Sequence, residues 1–126
     1  MAKSVIFTLS CGKWRLVSKR VGPRPSVAFL EWTDPIYVGG HWTPELIARA
    51  GGRHPLNEAG AGGAGKSFPV TDEAVLQSKP ELVVVCPCGL DLAATRREVA
   101  QMRQQSWWQQ LTARIVTERQ LQGPFR

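Results

Sequence analysis

The sequence predicts an α/β fold: a single Rossmann-like lobe whose parallel sheet is flanked by helices. Two short, nearly uninterrupted apolar runs, residues 27–32 (Val-Ala-Phe-Leu-Glu-Trp) and 81–86 (Glu-Leu-Val-Val-Val-Cys), fit strands buried on both faces. Segments with helix start and stop signals follow each run, and that alternation marks parallel strands joined through helices. The chain has 126 residues, 43% of them hydrophobic and 21% charged, which is enough for one ordinary core.

The first element is set apart by composition. Residues 1–25 carry Lys3, Lys13, Arg15, Lys19, Arg20 and Arg24 with no acid, so the whole net charge of +6 belongs to this arm. A solvated, poorly ordered leader is the expectation for it. An interaction or nucleic-acid-binding module built on this basic arm is the alternative. Residues 26–111 form the expected lobe, and residues 112–126 a tail to which no structure is assigned.

After the Gly22-Pro23-Arg24-Pro25 breaker, the strand at residues 27–32 is stopped by Asp34-Pro35, with Gly39-Gly40 in a loop. Thr43-Pro44-Glu45 then reads as an N-cap hydroxyl, a first-turn proline and a first-turn acid, and Gly51-Gly52 as the helix stop. Trp42, Leu46, Ile47 and Ala50 share one face of this helix. Thr71 opens a second, short helix that ends at Lys79-Pro80. Pro87-Cys88-Gly89 closes the second strand, and Asp91 caps a long helix running to about Leu111, with Val99, Met102 and Leu111 turned inward.

Several motifs invite chemistry. Gly60-Ala61-Gly62-Gly63-Ala64-Gly65-Lys66-Ser67 matches the phosphate-cradling pattern G-x-x-x-x-G-K-[ST]. A working loop of that kind needs a buried strand before it and a helix starting at the Lys-Ser pair. Upstream, residues 53–58 are too polar for such a strand, and downstream Pro69 sits where the helix would propagate. A glycine-rich connection is therefore the expectation, and a P-loop-like nucleotide-binding protein the alternative. Cys11, Cys86 and Cys88 are an odd count, and no second Cys/His pair has zinc-site spacing, so buried thiols at a strand end are expected and no metal. His41 and His54 stand apart from any nucleophile, and no catalytic residue or catalytic cofactor is expected. Trp107 and Trp108 fit packing. Trp32 and Trp42 fall in loops at strand and helix ends, where α/β folds hold ligands, and their faces suit a bulky planar molecule.

Three ordered blocks, residues 29–35, 40–52 and 80–92, resemble the second lobe of periplasmic binding proteins of the vitamin B12 and ferric-siderophore class, in particular the cobalamin-binding branch. The resemblance covers roughly residues 26–111. It implies a non-catalytic substrate-binding lobe that takes cobalamin (a corrinoid) or an iron siderophore for an ABC transport system. It places Trp32, Asp34, His41, Trp42, Pro87, Cys88 and Gly89 near the ligand and Glu45 at the permease. The family's first lobe and linking helix have no counterpart here, which implies a truncated form or a lone lobe with a weakened or altered task. No apolar run approaches the ~20 residues of a membrane span. The stretch before Cys11 is shorter than the core of an export signal, so the chain as written reads as cytoplasmic, whereas the family is periplasmic or cell-surface.

Overall fold

The computed structural model describes residues 6–10, 13–18, 23–59 and 65–117. β1 (Ile6–Ser10) and β2 (Lys13–Ser18) pair antiparallel as a separate two-stranded sheet, so the basic arm contains regular structure where a poorly ordered leader was expected. Cys11, Lys19, Arg20 and residues 118–126 lie outside the described residues.

The lobe is built on β3 (Val27–Thr33), followed by β4 (Ile36–Val38), α1 (Thr43–Arg49), β5 (Phe68–Pro69), α2 (Asp72–Gln77), β6 (Leu82–Val85), α3 (Leu92–Met102), α4 (Ser106–Gln109) and β7 (Arg114–Val116). The five strands form one sheet in the order β5-β4-β3-β6-β7. The α/β class holds, but the sheet is mixed where a parallel one was expected. β3, β6 and β7 run parallel, whereas β4 and β5 add an antiparallel flank. Asp34-Pro35 does end β3, yet it does so as the turn into β4, and three residues are too few to announce a strand. β7 likewise falls in the tail to which no structure was assigned.

Register sorts the side chains. Val27 pairs with Leu82, Ala28 with Val83, Phe29 with Val84 and Leu30 with Val85, so alternate pairs face opposite layers. Ala28, Leu30, Val83 and Val85 join Ile36 and Val38 in a core closed by Val75 of α2, Val99 and Met102 of α3, and Trp107 and Trp108 of α4. The two tryptophan rings meet edge to face at 5.5 Å. On the other face lies α1: Gly39 sits between Phe29 and Thr43, and Gly52 between Ile47 and Val27.

Local signals explain most helix ends. Thr71 accepts from the Ala74 amide at 3.1 Å and Asp91 from the Ala94 amide at 2.7 Å, both as N-caps. At the end of α1, Gly51 takes φ of 90°, its amide donates to Ala48 and the Gly52 amide to Ile47, the paired bonds of a Schellman stop. The start of α1 differs from expectation. Trp42 occupies the N-cap without a side-chain bond, Thr43 is already helical, and Trp42 is exposed rather than packed with Leu46, Ile47 and Ala50. The single long helix expected after Asp91 is two, separated at residues 103–105, and this break lets Trp107 and Trp108 turn into the core.

Leu30 is wholly enclosed at the centre of this core. Leu30→Ala is expected to cost roughly 2–5 kcal/mol, read as a lower midpoint in urea unfolding with little change in slope.

Candidate functional site

Glu31 is the residue on which the candidate site turns, although its sequence context reads as an ordinary strand position. Between β3 and β4 the register shifts: Leu30 pairs with Val38 but Trp32 with Tyr37. One extra residue, Glu31, is therefore inserted in β3 as a β-bulge. Without it Trp32 would share the core face of Leu30; with it Trp32 takes the face of Tyr37 and remains 37% exposed. The half-buried Glu31 carboxylate accepts from the Gly40 amide at 3.2 Å, while its backbone carbonyl accepts from the Cys88 amide at 3.0 Å. One residue thus ties together the loop that carries His41 and Trp42 and the loop that carries Pro87, Cys88 and Gly89.

The first loop leads into α1. Because β4 runs antiparallel, residues 39–42 double back beside Phe29 and Glu31 instead of standing beyond the end of β3. Gly40 has no room for a Cβ, which would overlap the backbone of Lys66 and Ser67. His41 follows with φ of 56° and donates its amide to Gly65 at 2.9 Å. Its ring lies 5.9 Å from that of Trp42, tilted by 35°, and Trp42 is 69% exposed. Asp34 is exposed, and its carbonyl accepts from Trp32 Nε1 at 3.2 Å. In the first turn of α1, Glu45 binds Arg49 at 2.7 Å on the surface, a pairing of little net worth.

The second loop follows β6. Pro87 is buried, whereas Cys88 and Gly89 are exposed and Cys86 is half-buried, which corrects the expectation of two buried thiols. Burial, with the nearby Cys88 and Glu31 adding to it, pushes the Cys86 thiol up to about 11. Partial burial and Glu31 raise Cys88 as well. Neither is an activated thiolate. Among the described residues, no three His, Cys, Asp or Glu side chains group as a metal site would require.

His54 has a structural task. Its buried Nε2 accepts from the Phe29 amide at 3.1 Å, and Nδ1 donates to the Asn57 carbonyl at 3.0 Å. The Val27 amide donates to the Arg53 carbonyl just before it. The imidazole thus replaces a missing strand neighbour along the first half of β3, and the ring is held neutral. Burial lowers its pKa, outweighing the hydrogen bonds and Glu31.

The glycine-rich motif finds its context here. Gly60 to Ala64 lie outside the described residues. After Lys66-Ser67 comes the strand β5, not a helix, and Ser67 Oγ donates to the Val38 carbonyl at 2.9 Å. Asn57 Nδ2 donates to the carbonyls of Gly39 and Lys66. These residues brace the Trp42 loop and lack the helix N-terminus a phosphate cradle uses. Among the described residues, no helix is long and apolar enough to cross a membrane. No family model matches the chain, and neither a curated protein nor a solved structure matches it.

Two outcomes follow. With the folded pKa of His54 below its unfolded value of 6.5, the unfolded chain binds more protons at this site as pH falls, so the contribution of His54 to stability is full above about pH 6.5 and declines below it. Urea midpoints between pH 8 and 5 are expected to fall more steeply in the wild type than in His54→Gln, which does not titrate; equal slopes would remove this assignment. Iodoacetamide labelling mapped by peptide mass is expected to modify exposed Cys88 well before half-buried Cys86.

Proposed function

We propose that this chain is a non-catalytic ligand-binding lobe of the kind found in cobalamin and iron-siderophore binding proteins, taking a bulky planar ligand of the corrinoid class. One observation carries the reading. Trp32 and Trp42, 37% and 69% exposed, stand on segments joined through Glu31. Large indole faces left in water at braced positions offer apolar area to a ligand at small entropic cost.

The surrounding chemistry supports binding over catalysis. Both thiols are shifted away from reactivity and both His54 nitrogens are engaged. On this reading the parallel strands β3, β6 and β7 with their flanking helices are one Rossmann-like wall of a cleft. Asp34, His41, Cys88 and Gly89 line it, Pro87 being buried, and Glu45 meets an ABC permease. A single wall covers one side of a ligand, whereas tight sites enclose most of it. Weak affinity without a second lobe belongs to the proposal.

Cobalamin titration of the purified protein, following tryptophan fluorescence corrected for cobalamin absorbance, tests it against a parallel cell with ATP–Mg²⁺. Saturable quenching is expected, with affinity lowered about 3- to 10-fold by Trp32→Ala or Trp42→Ala. Silence with cobalamin and a response to nucleotide would overturn the reading.

A further inference from the structure

We infer that Glu31 is the positioning residue of this ligand surface, setting the Gly40–Trp42 loop against the Cys88 loop; the functional half of the inference rests on the reading above. Three observations bear on it. Glu31 is the inserted residue of the β3 bulge, a device that re-aims side chains and recurs beside functional sites. Its carboxylate holds the Gly40 amide, and its carbonyl holds the Cys88 amide. Among the described residues it has no ion-pair partner, so the carboxylate is committed to a backbone N–H and not to a neighbouring cation.

The two bonds differ in what a substitution can reach. Removing the side chain releases Gly40 and leaves the Cys88 bond, which belongs to the backbone. Glutamine keeps a carbonyl oxygen at the same reach and discards the charge. A positioning role therefore predicts that the loop and the ligand affinity respond together to Glu31→Ala, and that Glu31→Gln restores both.

The experiment uses the full chain and reads each half separately. Amide hydrogen exchange is expected to speed up at Gly40 on the order of tenfold in Glu31→Ala, with Cys88 little changed. Exchange in Glu31→Gln is expected to stay close to wild type. Cobalamin affinity, measured by the same fluorescence titration, is expected to fall about tenfold in the alanine variant and to recover in the glutamine variant. Unchanged Gly40 exchange in Glu31→Ala overturns the positioning role. So does a loosened loop with unchanged affinity. If Glu31→Ala does not fold, the glutamine variant decides alone, since loss of Gly40 protection there overturns the inference. Wild-type protein that binds no cobalamin overturns the ligand reading instead, and the exchange arm still shows whether Glu31 holds the loop.

Discussion

The parallel ladder between β3 and β6 is the constraint from which the rest of the lobe follows. Its four pairs, from Val27–Leu82 to Leu30–Val85, fix which residues face α1 and which face α2, α3 and α4. A slip of one residue would exchange the two sets and put every apolar side chain on the wrong layer. Backbone bonds extend the ladder at both ends. The Ser26 carbonyl accepts from Glu81 and Leu82 at the start, while the Leu30 and Glu31 carbonyls accept from Cys86 and Cys88 at the finish. The same pairing that buries the core thus delivers the Cys88 loop to Glu31.

The bulge then turns the large ring of a core strand out to the surface. Strict alternation would send Trp32 inward with Leu30. The extra residue sends Thr33 inward instead, where it is buried and donates to Glu98 of α3 at 2.8 Å. A small, hydrogen-bonded hydroxyl thus stands inside in place of an indole, and the large ring is left at the surface. A single inserted residue therefore accounts for three facts together: an exposed Trp32, a buried Thr33 with a satisfied hydroxyl, and a carboxylate aimed at Gly40.

Much of the fold was legible because it rests on local chemistry. The β-branched run at residues 82–85, the Thr71 and Asp91 caps and the Gly51-Gly52 stop each act within a few residues. What escaped depends on distant partners. β4, β5 and β7 have three, two and three residues, and they become strands through their neighbours. The candidate site was legible as residue types, since Trp32 and Trp42 could be singled out as aromatic faces, although Trp32 stands within β3 where a loop was expected. Its organiser was not. A glutamate inside an apolar run carries no sign of a bulge, and His54 carries no sign that its ring completes a strand edge 25 residues away.

The path from His54 to Trp42 runs through the described end of the glycine-rich segment, Gly65 to Ser67. His54 holds Asn57, and Asn57 spans the carbonyls of Gly39 and Lys66. Gly65 takes the His41 amide, and the Lys66–Ser67 backbone closes on Gly40 so tightly that only glycine fits. The Trp42 loop is therefore held from behind by this brace and from the sheet side by Glu31. Such a loop gives up its backbone freedom when the chain folds. That is the condition under which an exposed aromatic ring contributes most to binding, because little remains to be ordered. An indole that is largely in water while its backbone is fixed on two sides is what a preorganised apolar contact requires.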